Sequence, residues 1–205
     1  MKRTLIGAAA AVAATSLAGP AMAQDAFAPP AGAYELDRQH ATIHWEVSHR
    51  GLSRYIGRFD EFDVDLVFDP EDPAASTVAA RIEPTSLNID YSGGSDFQGE
   101  LVAEFLKAVE FPEISFTSTE IAVTGEATGT VTGDLTFAGQ THPLMLDVTF
   151  NGGAPARGGG TSIGFSAATV LVRSQWGADR SVQTGIGDEV TVRIEAEFRR
   201  VADAE

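Results

Sequence analysis

Residues 36–59, LDRQHATIHWEVSHRGLSRYIGRF, carry three of the chain's four histidines, and the period of their neighbours decides the fold. On a helix, His40 and His44 would share a face and be placed to bind one metal ion. The neighbours run with period two instead. Ile43, Trp45, Val47 and His49 fall on one face, and His40, Thr42, His44, Glu46 and Ser48 on the other. In a strand His40 and His44 lie roughly 13 Å apart, at about 3.3 Å per residue, and cannot share an ion. His142, just before Pro143, reads as an exposed ring at a strand start, so no metal is expected from the four histidines. His49 extends the apolar face. It reads as inward at one end of the strand, either a hydrogen-bonded core residue or a polar contact for a ligand headgroup.

The same alternation recurs down the chain. Val64, Leu66 and Phe68 alternate with acids, Leu87, Ile89 and Tyr91 with Ser86, Asn88 and Asp90, and Ile114 and Phe116 begin a further strand. Val131, Leu135 and Phe137 follow, then Leu144 to Phe150, Ile163 to Ala167, and Val190 to Phe198. This gives about eight strands, each with one apolar and one polar face. Turn signals separate them at 69–73, 124–129, 138–141 and 151–160. One helix is expected over residues 95–111, SDFQGELVAEFLKAVEF, capped by a Ser95–Gln98 box and stopped by Pro112. Eight strands joined mostly in sequence order favour an all-β, up-and-down antiparallel barrel, with the helix between the third and fourth strands. Such an interior is either filled by side chains or holds one small ligand.

Residues 1–23 read as a signal peptide: Lys2 and Arg3, the apolar run LIGAAAAVAATSLAG, then Ala21-Met22-Ala23 before the cut. Residues 24–33 form a Pro/Ala-rich lead-in, and 34–201 a single domain. Cleavage after Ala23 would leave 205 − 23 = 182 residues and, with Lys2 and Arg3 gone, move the net charge from −15 to −17. An acidic chain of this kind repels nucleic acid and anionic membrane surfaces. The leader places it in the periplasm, and the lack of cysteine leaves stability to the core.

Catalytic signals are absent. The acidic run FDEFDVDLVFDPED reads as the solvated face of a strand, without the glycine and closing glutamate of a calcium loop. There is no Gly-x-Ser-x-Gly elbow, and the glycine loops lack a following Lys-Ser/Thr. Twelve Phe and two Trp are the conspicuous inventory, and most fall at inward phase. Arg50, Arg54 and Arg58 crowd the turn after the first strand around Tyr55, as solvated charges or as an attraction for a polar headgroup at a barrel mouth.

These residues resemble a known family. YELDRQHATIHWEVSHRGLSRYIGRF is similar to the opening of the YceI-like, polyisoprenoid-binding proteins at Tyr34, Asp37, His40, Trp45, Val47, His49, Gly57 and Phe59. EFLKAVEFPEISF resembles its helix and following aromatic-Pro motif, at Phe111, Pro112, Ile114 and Phe116. TGDLTFAGQTHPLML looks like its hairpin, and VRSQWG with IGDEVTVRIEAEF its closing strands. The chain departs from the family at the helix start. A His-Leu pair is common there, and here Glu100 precedes Leu101; the later aromatic pair is Phe105-Leu106.

The resemblance implies a lipocalin-like barrel that carries a long amphiphilic isoprenoid or quinone-type lipid, is not an enzyme, and needs no cofactor beyond that lipid. The residues expected at the ligand are Trp45, Val47, His49, Phe59, Leu66, Leu87, Leu101, Phe105, Phe116, Leu135, Phe137, Leu146, Phe165, Arg173 and Trp176. A homodimer and a membrane-bound redox partner stay open as partners; nucleic acid does not. The alternatives are an enzyme acting on such a lipid and a solid-core barrel serving as a stress or redox interaction protein.

Overall fold

The structure, a computed structural model, describes residues 27–200. The expected signal peptide and cleavage point lie outside the described residues. Ten strands form one sheet: β1 (Gly32–His49), β2 (Ser53–Phe59), β3 (Phe62–Phe68), β4 (Thr77–Ile82), β5 (Leu87–Ile89), β6 (Ile114–Val123), β7 (Thr128–Phe137), β8 (Gln140–Pro155), β9 (Thr161–Val172) and β10 (Ile186–Arg200). β1 pairs with β10 and closes the sheet on itself. β1 begins at Gly32, inside the segment read as lead-in, and Pro30 just before it accepts a 2.6 Å hydrogen bond from the Tyr34 hydroxyl.

The barrel has eight walls built from ten strands, because two walls are broken at the same level. β2 pairs with the C-terminal half of β1 and β3 with its N-terminal end, so β2 and β3 are two halves of one wall. β4 pairs with β3 and β5 with β2, so β4 and β5 are halves of the next. The breaks fall at Asp60-Glu61 and at the turn Pro84–Ser86. They are laced together: the Asp60 N–H donates to Ser86 O at 3.1 Å, the Glu83 N–H to Glu61 O at 3.0 Å, and Asn88 Nδ2 to the Asp60 carboxylate at 2.6 Å. β1 bulges against β10 between Leu36 and Ala41, opposite the break.

Among the described residues β5 has no strand on its far side, and a short helical segment stands in the gap before β6. This segment, α1 (Phe97–Glu100) continued by a π-helical turn Leu101–Phe105, is much shorter than the helix expected over 95–111, but it stands where that helix was expected, between the third wall (β4 and β5) and the fourth (β6). Asp96 caps it, its Oδ1 accepting from the Gly99 N–H at 2.9 Å, one residue after the expected Ser95. A Cβ at Gly99 would lie 2.2 Å from that carboxylate, so a glycine, though it weakens a helix interior, is what admits the cap here. Gln98, expected in the capping box, instead accepts from the Ile89 N–H at the β5 edge, at 3.4 Å. Leu106 N–H bonds Leu101 O, five residues back, and Lys107 at φ +53° ends the helix before Pro112.

The outer surface is polar. Arg38 reaches Glu61 and Asp63, Arg81 pairs with Asp65 at 2.9 Å, and Asn151, Ser166 and Glu195 link three strands by side-chain hydrogen bonds. No helix among the described residues is long and apolar enough to cross a membrane. The polar exterior and apolar lumen are also the reverse of a lipid-facing barrel.

Candidate functional site: the lumen

The interior is hollow. A cavity of about 1250 Å³ runs along the barrel, from the β3–β4 and β6–β7 turns, at Pro70, Pro73 and Glu126, to the opposite end at His49, Arg50, Tyr91 and Thr184. It exceeds the roughly 300–1,000 Å³ of sites for drug-sized ligands. Two buried clusters flank it without filling it. Ile114, Phe116, Val131, Leu135 and Phe137 gather on one stretch of wall; Tyr34, Leu66, Phe68, Ile163 and Phe198 gather on another. Phe68, Phe150, Phe165 and Phe198 make a chain of ring contacts at 5.2–6.1 Å. A solid-core barrel is thereby ruled out as a description of the fold.

Fourteen of the fifteen expected ligand residues line this lumen: Trp45, Val47, His49, Phe59, Leu66, Leu87, Phe116, Leu135, Phe137, Leu146 and Phe165 by the period-two phase of their strands, Leu101 and Phe105 from the helical segment, and Arg173 from the turn after β9. Trp176 is placed elsewhere. It is 1% exposed, its Nε1–H donates to Leu135 O at 3.2 Å, and its ring meets the edge of His142 at 5.1 Å; it packs into the buried cluster with Ile114, Leu135 and Phe137 without lining the cavity. His142 is accordingly half-buried rather than freely exposed.

Arg173 lines the lumen, yet its guanidinium is already occupied. It donates to the backbone carbonyls of Gly187 at 2.8 Å, Arg180 at 2.9 Å and Ile186 at 3.3 Å, and to that of Ala178. Burial pulls its pKa below the ordinary arginine value, with Asp188 and Asp179 opposing. Its task is to tie the long β9–β10 connection. Phe105 lies under both Arg173 and Arg180, with ring centroids 5.8 and 5.9 Å from the guanidinium carbons.

Of the three arginines expected to gather at a mouth, only Arg50 reaches the lumen. Arg54 and Arg58 take the outward phase of β2, and Arg58 pairs with Asp60 at 2.7 Å. The inward phase of β2 is Ser53, Tyr55, Gly57 and Phe59. Gly57 leaves room for Trp45, since a Cβ there would stand 2.3 Å from the indole Cζ2. The indole lies 6.3 Å from Tyr55, Tyr55 lies 6.2 Å from Phe97, and Phe97 lies 4.9 Å from Tyr91, whose ring is partly in solvent. Tyr55, Phe97 and Tyr91 were not among the expected ligand residues. The signal for Tyr55 was its two-residue offset from Gly57 and Phe59, hidden between outward Arg54, Ile56 and Arg58.

Among the described residues, only one of the four histidines stands in a group close enough to share an ion: His40, with Asp37 and Glu197 on the outer face. Asp37 is already engaged there, to His40 at 3.2 Å and to Arg199 at 3.1 Å.

The model of the YceI-like domain matches residues 34–198, nearly the whole span read as the domain. The chain belongs to the YceI-like family. Among its family relatives, a UPF0312 protein of Pseudomonas putida (strain GB-1) is 36% identical over 163 residues, covering 78% of this chain and 79% of that protein. Another from Pseudomonas fluorescens (strain SBW25) is 35% identical over 180 residues, covering 86% and 88%. Among solved structures of the YceI-like fold, the Campylobacter jejuni YCEI protein superposes with a TM-score of 0.65 at 25% identity, over 76% of this chain and 90% of that one. A polyisoprenoid binding domain from Saccharophagus degradans shares the fold, with a TM-score of 0.59 at 14% identity over 83% and 99% of the two chains.

Proposed function

We propose that this YceI-like protein is a periplasmic carrier that holds one long amphiphilic isoprenoid or quinone-type lipid in its lumen. The observation that carries the reading is the elongated cavity of about 1250 Å³ walled by aliphatic and aromatic side chains in a barrel whose outside is polar. At about 0.8 kcal/mol per buried CH₂, an isoprenoid tail gains ample free energy there. Among the described residues the cavity walls carry only two carboxylates, Glu100 and Glu126, at opposite ends; they form no acid–base pair there, which favours a binder over an enzyme. A fold-mate described as a polyisoprenoid binding domain makes such tails the first ligands to try.

The test is direct. The protein is purified from the periplasm of an exporting host, its N-terminus is sequenced, and organic extracts are read by mass spectrometry. A chain beginning at Gln24 with stoichiometric prenyl lipid is expected. A lipid-free barrel, or one carrying only bulk phospholipid, sinks the reading.

A further inference from the structure

We infer that the Tyr55 hydroxyl anchors the polar end of the ligand, and that this end is an uncharged group presenting a carbonyl or hydroxyl oxygen. The inference rests on the carrier reading and names the headgroup class for it. Tyr55 lines the lumen, and its hydroxyl is buried without a hydrogen-bond partner among the described residues. A buried phenol left unpaired costs about 1–3 kcal/mol, so a site that keeps one points to a partner that arrives with the ligand.

The surroundings set the chemistry of that partner. Burial, with Tyr91 and Asp90 nearby, raises the phenol's pKa, so the group stays protonated and offers a proton. Trp45 and Phe97 flank it with ring faces and edges suited to a flat or compact neutral head. Cations that would suit a phosphate are spent elsewhere. Arg173 is saturated by backbone carbonyls, Arg180 is clasped by Glu100 and Glu104, and Arg54 and Arg58 face outward. Arg50 and His49 remain at the exposed rim, and Glu100 lines the same end of the lumen.

The experiment strips the purified protein of lipid and measures equilibrium uptake of three probes from detergent micelles. These are ubiquinone-10 (neutral carbonyl head), undecaprenyl phosphate (anionic head) and squalene (tail alone). Wild type is compared with Tyr55→Phe, which removes one oxygen. We expect the quinone to bind wild type more tightly than the phosphate. Tyr55→Phe should weaken quinone binding by about fivefold and leave squalene within about twofold. The ligand-free variant should melt no lower than wild type, because no internal hydrogen bond is lost. Equal quinone affinity in both proteins, an equal loss for squalene, or tighter binding of the phosphate each overturns the assignment. If wild type takes up none of the three, the carrier reading itself falls, and the headgroup assignment falls with it.

Discussion

Trp45 and Glu46 are neighbours on β1 that face opposite ways, the indole to the lumen and the carboxylate to Arg193 across the outer surface at 4.0 Å. Trp45→Ala therefore removes ring contacts from the cavity wall and should cut retained lipid several-fold, on the order of the 1.4 kcal/mol that makes a tenfold change. Glu46→Ala should leave lipid content unchanged, measured by extraction from equal amounts of protein. Asp37 acts in a different way. Its hydrogen bond with His40, joined by those from the Gln39 N–H and Arg199, outweighs partial burial and holds its carboxyl below the usual range. A carboxyl whose pKa is lower folded than unfolded stabilises the fold above the unfolded value, near pH 4, and loses that stabilisation as pH falls through the folded value. Asp37→Asn should then lower stability by about 1 kcal/mol at pH 7. The gap to wild type should close by pH 3 in paired urea titrations. A gap of the same size at pH 3 would show that charge is not what binds β1 to β10 there.

At the scale of elements, the π-turned helix and the β9–β10 connection close one end of the barrel. Asp96→Ala removes the cap of α1 at a cost of about 1 kcal/mol. Because this helix stands in the gap between β5 and β6, release of lipid to vesicles should quicken about fivefold. Arg173→Met leaves the carbonyls of Ala178, Arg180, Ile186 and Gly187 without their donor. It should cost about 3 kcal/mol or more in urea unfolding. The elements differed in how far they could be read from the chain. The stretches Ile43–His49 of β1 and Val190–Phe198 of β10 were plain, because there apolar and polar residues alternate. β2 was hidden because its inward phase includes Ser53 and Gly57, too small or polar to mark a face. β4 was hidden because Thr77–Ile82 puts Val78, Ala79 and Ala80 in succession, apolar on both phases. The helix was overread because Phe97, Leu101 and Phe105 keep helical spacing while Lys107 turns the backbone away. Trp176 was misplaced because it sits in a 3-10 turn, where a period of two assigns no face.

For the molecule as a whole, a hollow core means that the ligand is part of the stability. With ligand at a hundred times its dissociation constant, binding adds about 2.7 kcal/mol. A domain of this size gains about 2–4 °C per kcal/mol. Stripping the lipid should therefore lower the melting temperature by roughly 5–10 °C, restored on reloading, whereas a ligand-independent core would melt alike in both states. The eight walls and the inward phase followed from alternation. That the lumen is open rather than packed did not, because the same Phe and Leu residues would fill a smaller ring; only the ring's closure around them decides it.

The margin of the sheet at β5 has a consequence for how the protein behaves at high concentration. An unpaired strand offers a template on which copies can stack into fibrils. Here that template is three residues long, its Ile89 N–H is taken by Gln98, and α1 lies against it. Crowded molecules thus find no backbone ladder to extend at β5, and the negative charge spread over their outsides pushes them apart.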